Sequence, residues 1–172
     1  LDLDFIKHRT SSPYLLGKFG YYMRDPETRK PLIWDANTNK PVPFDTPGAD
    51  PVLEAAFLVE HGVEEGADGK EWVHENERCQ TAWEKLVEHT EPYSPLWASH
   101  ICDVPVKTIR RIALEYLEHA HIGETIEIEG RTLPFRPVAI TLGKTVNNGW
   151  GGFDCCWART LLACLVGALE VP

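Results

Sequence analysis

Pro137-Val138-Ala139-Ile140-Thr141-Leu142-Gly143-Lys144-Thr145-Val146-Asn147-Asn148-Gly149-Trp150-Gly151-Gly152 is the stretch on which the reading of the fold turns. Its first six residues form a nearly continuous apolar run, the pattern of a strand covered on both faces in a parallel sheet. The next ten hold four glycines, which let a backbone approach a ligand closely. Residues 154–166 then read as a helix apolar nearly all round, hence buried, with Gly167 as its carboxyl-end stop. Asp154 is placed to cap that helix. Gly151 is expected at a positive φ, where a β-branched residue would damage folding. In open α/β sheets ligands sit in the crevice beyond the carboxyl ends of parallel strands. Gly143, Lys144, Thr145, Asn147, Asn148 and Gly149 are therefore the candidate binding residues. Their amides, single cation and hydrogen-bonding side chains suit a large, polar, anionic ligand. A nucleoside-triphosphate P-loop is excluded, because the glycine that motif requires falls on Val138, inside the strand.

Working toward the amino end, Thr125-Ile126-Glu127-Ile128 and Arg131-Thr132-Leu133 read as a hairpin turning at Glu129-Gly130. Ile109, Ile112, Ala113, Tyr116, Leu117 and Ala120 fall at helical spacing. Ser94-Pro95 is a helix start, a capping hydroxyl followed by proline at the first helical position. A further helix is expected over residues 77–90. Residues 56–60 and 71–74 can pair around Gly66-Ala67-Asp68-Gly69. Short strands at residues 20–23, 32–34 and 42–44 make a small antiparallel meander, and residues 1–10 a short helix. The expected class is thus α/β, with a β meander and a β hairpin. One domain is expected, divided into a helix-plus-meander section (1–50), a helical section (51–122) and the hairpin, strand, loop and helix (123–172).

Composition narrows the function. The 172 residues are 43% hydrophobic and 25% charged, which argues for a packed core rather than disorder. A net charge of −9 argues against nucleic acid and acidic membranes as partners. The apolar stretch 161–166 is too short to span a bilayer, so direct membrane insertion is not expected. Five cysteines without a C-x-x-C pair read as buried reduced thiols. Residues 95–120 have the outline of a helix-turn-helix, with Lys107, Thr108, Arg110 and Arg111 opening the second helix. Ordinary helix packing with a solvated basic edge explains the same pattern. His89, His119 and His121 make a weak metal signal, and the run Glu64, Glu65, Asp68, Glu71 and Glu75 reads as a solvated edge. No catalytic residue can be assembled from spacing. No signal peptide opens the chain. It begins as if inside a helix and stops abruptly, as expected of an internal piece of something longer.

Several stretches resemble the molybdopterin oxidoreductases of the dimethyl-sulfoxide-reductase family. Tyr93-Ser94-Pro95-Leu96-Trp97-Ala98, followed by Val104-Pro105 and Thr108-Ile109-Arg110-Arg111 with Ala113, looks like that family's Y-T-P-E-W-A…G-V-P-x-x-T-I-R-R-x-A segment. Residues 136–172 resemble its strand, cofactor-side loop and helix. Residues 3–15 and 24–35 are similar to further parts of it. The resemblance implies a fragment of a molybdenum-cofactor-binding α/β domain from a catalytic subunit. The implied activity is two-electron redox chemistry, of the oxygen-atom-transfer or hydroxylation type, at molybdenum or tungsten. The implied cofactor is a molybdenum bis(molybdopterin guanine dinucleotide), approached by the loop at residues 142–148. A [4Fe-4S] cluster is expected in the full-length subunit but not on this segment, which lacks the family's cysteine cluster. The protein ligand of the metal lies upstream in the family, so no metal ligand is expected here and the segment alone is expected to be inactive. Expected partners are a small-molecule substrate and the rest of the catalytic subunit, with room for an iron–sulfur electron-transfer subunit. The family pattern fits the periplasm or the cytoplasm. A helix-turn-helix or small nucleotide-binding module is the competing reading.

Overall fold

The computed structural model describes residues 1–141, 143–144, 148–169 and 171. The chain is mixed α and β, with small antiparallel sheets and a two-stranded hairpin. It divides into two compact units, Lys7–Pro92 and a second made of Leu1–Ile6 with Tyr93–Pro172. The expected one-domain division into 1–50, 51–122 and 123–172 places its cuts elsewhere.

The Lys7–Pro92 unit is built on strand pairing. Strands β1 (Leu15–Leu16), β4 (Phe57–Glu65) and β5 (Glu71–Thr81) form one antiparallel sheet in the order β1-β5-β4. Strands β2 (Leu32–Asp35) and β3 (Lys40–Pro43) form a hairpin. Leu15, Met23, Leu32, Phe57, Val59 and Cys79 make the core, with Trp34 and Val52 packed against it. The expected pairing around residues 66–69 is present and longer than the sequence suggested, running from Phe57↔Cys79 to Glu65↔Glu71. Consequently residues 77–81 are strand, and the helix expected from 77 begins at Ala82. Thr81 sets that boundary: its hydroxyl accepts from the Glu84 amide, and the Glu84 carboxylate accepts from the Thr81 amide. That capping box opens α2 (Ala82–Thr90). Of the expected meander, residues 20–23 contribute one isolated bridge, Tyr22 to Leu16, rather than a strand.

Asp35, 3% exposed, ties the β2–β3 turn together. Its carboxylate accepts from the amides of Asn37, Thr38 and Asp50 and from the Thr38 hydroxyl. The Asp50 amide first, then the Thr38 hydroxyl, hold this carboxyl below the usual carboxylate range against the opposing effect of burial. A depressed folded pKa gives stability that is complete above the unfolded value, about 3.9, and is lost as pH falls through the folded one. Asp35→Asn is therefore expected to lower Tm at pH 7 and to flatten the acid limb of a Tm-against-pH curve. An unchanged acid limb would contradict this account.

The other unit is mainly helical. It holds α3 (Pro95–Cys102), α4 (Val106–His119), the hairpin β6 (Thr125–Ile128) with β7 (Arg131–Pro134), and α5 (Gly152–Leu165). The first helix, α1 (Leu3–Arg9), crosses the unit boundary at residue 6. Ser94 caps α3 through its side chain, with Pro95 in the first turn. Glu129 and Gly130 both take positive φ, the backbone of a tight hairpin turn. Gly167, at φ 69°, ends α5: its amide reaches the Cys164 carbonyl and that of Ala168 reaches Ala163. A buried ion pair anchors this unit. Arg136 meets the Asp2 carboxylate at 2.7 Å and also donates to the carbonyls of His121, Glu124, Phe135 and Val166. The Asp2 amide donates to Leu165.

Two expectations fail here. Residues 137–141 are not a strand, and no parallel pairing exists among the described residues. The apolar run has no neighbouring strand to bond, Pro137 has no N–H to give, and the Val138 amide turns back to the Arg136 carbonyl at 2.7 Å. Nor is α5 buried: Phe153 is 82% exposed, Trp157 47% and Leu162 43%. Tyr116 of α4 donates to the Leu162 carbonyl and the carboxyl half of α5 is half-buried, but the described residues leave these apolar side chains uncovered. No residue of α4 itself is buried: Ala120, just beyond its end, is, while Ile112 and Leu114 face solvent.

Candidate functional site

The glycine-rich loop leads into the amino end of α5. Gly151, at φ 73°, is the residue before the helix, a left-handed backbone that glycine adopts without strain. The Gly152 amide closes back on Gly149 at 3.0 Å and the Cys155 amide on Gly151 at 2.9 Å. Asp154 lies in the first turn but its side chain makes no cap, contrary to expectation; the glycine turn itself starts the helix. Gly143, Lys144, Asn148 and Gly149 are all exposed. The Asn148 amide donates to the Lys144 carbonyl at 3.2 Å. Thr145 and Asn147 lie outside the described residues. The described residues 143–144 and 148–151 of the loop are thus exposed. The parallel strand expected to lead into it is not formed among the described residues.

The loop's exposed lysine, asparagine and glycine amides can hydrogen-bond a polar, anionic group. They offer no metal ligand. Among the described residues no group of three or more His, Cys, Asp or Glu side chains is placed to hold a metal ion. His121 instead pairs with Glu124 at 3.0 Å. On α4, Arg111 is occupied by Glu115, so the basic start of the helix-turn-helix outline is partly neutralised by its own helix.

Sequence reading missed a charged cluster in the other unit. Glu64, taken for part of a solvated edge, is fully buried. Its carboxylate accepts from the Phe19 amide at 3.1 Å and the Tyr21 amide at 3.0 Å. His74 Nε2 lies 2.8 Å from Glu64, without hydrogen-bond alignment, and His74 Nδ1 lies 3.2 Å from Glu77. Phe19 and Tyr21 stack on Trp72 at 4.8 and 5.8 Å, roofing the group. Gly17 is required beneath it, since a Cβ there would fall 2.4 Å from the Glu64 carboxyl carbon. Closed to solvent and saturated with donors, this carboxylate is an anchor for residues 17–21 rather than a reacting group. The available signal was strand alternation, which turns one of Glu64 and Glu65 inward.

The cysteines are free, and only some are buried. Cys79 is buried, and desolvation, followed by the charges of Glu77 and Glu64, pushes its thiol up to about 12. Cys102 and Cys155 are exposed. A thiol reagent at pH 8 is expected to label Cys102 and Cys155 rapidly and Cys79 only on unfolding, because the thiolate is the nucleophile. Equal labelling rates, read by peptide mass spectrometry, would refute this.

What fold and loop define is a mixed α/β segment that presents a glycine-rich polar loop at the head of an exposed apolar helix. Over 158 residues, 86% of this chain, it is 27% identical to one of the subunits of sulfite dehydrogenase from Allochromatium vinosum. The similarity is therefore to part of an oxidoreductase. The chain spans 15% of that relative's length. No family model matches the chain, and no solved structure matches it.

Proposed function

We propose that this chain is a segment of the catalytic subunit of a molybdopterin-dependent oxidoreductase of the dimethyl-sulfoxide-reductase family. The observation that carries this reading is the similarity, over most of the chain, to part of a sulfite dehydrogenase. The exposed Trp150, Phe153, Trp157, Ile112 and Leu114 support it, since apolar surface of this extent marks a contact area, here with the rest of the subunit. Gly143, Lys144, Thr145, Asn147, Asn148 and Gly149 hold the polar edge of a bis(molybdopterin guanine dinucleotide) by hydrogen bonds and one positive charge. When bound, that group supplies two-electron redox chemistry of the oxygen-atom-transfer or hydroxylation type. The chain's own part is to position it: the amides at the amino end of α5 and the Lys144 ammonium favour negative charge. The metal ligand and a [4Fe-4S] centre belong to other parts of the subunit.

Sulfite is the substrate to assay first. Its conversion with water to sulfate, two protons and two electrons is a two-electron oxidation of the proposed type. In the full-length subunit, Lys144→Ala and Asn147→Ala are each expected to lower molybdenum content or turnover about tenfold, the loss of roughly 1.4 kcal/mol of binding or transition-state stabilisation. Wild-type metal content and turnover in both would overturn the assignment of the loop. A full-length protein that contains neither molybdenum nor pterin would overturn the family reading.

A further inference from the structure

The outward face of the β1–β5 pair borders a pocket. Leu15 and Cys79 turn into the core, so by strand alternation Leu16, Arg78 and Gln80 turn the other way. The chain leaves the sheet after Leu16 and turns at residues 17–20. There the Gly20 amide reaches the Gly17 carbonyl, and the Gly17 amide the Tyr21 carbonyl, both at 3.1 Å. The Glu64 carboxylate fixes the same turn through the Phe19 and Tyr21 amides. With Ala55, Ala56 and Lys85, these elements line a pocket of about 600 Å³. That volume lies in the range of small-molecule sites.

The wall of this pocket is cationic. Lys18 and Arg78 line it and form no ion pair among the described residues. Lys18 instead stands 6.0 Å from the centre of the Phe19 ring. Lys85 is paired with Glu88 at 3.0 Å, and Glu84, the one carboxylate of the lining, accepts from the Thr81 amide. The amides of Lys18, Ala55 and Ala56, all exposed residues, meet no acceptor among the described residues. In a chain of net charge −9 most of the surface repels an anion, so two unbalanced cations in one concavity are a local exception.

We propose that this pocket binds a phosphate monoester of a small molecule. Lys18 and Arg78 together balance the charge of about −1.5 to −2 that such a group carries at pH 7. The planar fork of Arg78 suits two phosphate oxygens, Lys18 meets another as a point charge, and the free amides supply further donors. Leu16 and the Phe19 ring cover the organic part. A singly charged anion of the same shape leaves one cation unbalanced and binds less tightly. The inference does not depend on the proposed redox function and uses none of residues 143–149.

The test is an NMR titration of the isotope-labelled 172-residue chain with phenyl phosphate, beside phenyl sulfate and inorganic phosphate. Phenyl phosphate is expected to shift the Lys18, Ala55 and Ala56 amides and the Arg78 Nε–H, saturably and together. Phenyl sulfate, singly charged, and inorganic phosphate, without the ring, should each bind at least fivefold more weakly. Lys18→Gln and Arg78→Gln should each weaken phenyl phosphate binding at least fivefold with Tm unchanged, and Lys107→Gln should leave it as it is. Wild-type affinity in both pocket variants would overturn the proposal. So would equal binding of phenyl phosphate and phenyl sulfate, equal binding of inorganic phosphate, or shifts at Lys107 and Arg110 as large as those at Lys18.

Discussion

Glu64→Leu is expected to lower the unfolding free energy of the Lys7–Pro92 unit by about 3–5 kcal/mol, the combined cost of two backbone donors left without an acceptor at about 1–3 kcal/mol each. The Phe19 and Tyr21 amides lose their acceptor, and the leucine offers none. His74 is left beside Glu77 alone, in a place only 8% exposed. Glu64→Gln should cost less, because an amide oxygen still accepts from one of the two N–H groups. Gly17→Ala probes the same contact from the other side, where the new methyl meets the carboxylate and the 17–21 turn must shift. Urea denaturation, with hydrogen exchange at Phe19 and Tyr21, measures all three. A loss below about 1 kcal/mol for Glu64→Leu would mean that water reaches the carboxylate, and the anchor assignment would fall.

Arg136→Ala is expected to be comparably damaging to the other unit, again about 3–5 kcal/mol. Its guanidinium satisfies the Asp2 carboxylate and four carbonyls at once, and Arg136 is 7% exposed. Alanine leaves a carboxylate and those carbonyls without donors in a place water reaches poorly. Arg136→Lys should not restore stability, because an ammonium is a compact charge and cannot reproduce the planar fork of five donors. Full stability in the lysine variant would show that charge alone, and not the fork, holds the ends of this unit together.

Locally encoded features were readable in advance. Ser94 and Pro95 start α3 through a hydrogen bond and a fixed φ that need no tertiary context. Glu129-Gly130 turns β6 into β7 through its own backbone preferences. Gly167 ends α5 and Gly151 precedes it at positive φ for the same reason. Burial was not readable, because it belongs to the surroundings rather than to the segment. The apolar run at 137–141 and the apolar surface of α5 looked like core, yet the described residues leave most of both exposed or half-exposed. Glu64 failed in the opposite sense: a charge in an acidic stretch became interior because residues 17–21 fold over it. Of the candidate loop, the positive φ of Gly151 was readable in the sequence, while the strand expected before it is not formed by residues 137–141.

The salt link between Asp2 and Arg136 also sets an order of events during synthesis. The Lys7–Pro92 unit is contiguous and can reach its native pairings as soon as its last strand and helix leave the ribosome. The unit on either side of it must keep its opening six residues waiting until Arg136 emerges, 134 positions later. Such a long closure is slow, so the early unit acts as a finished insert that shortens the search between the two ends.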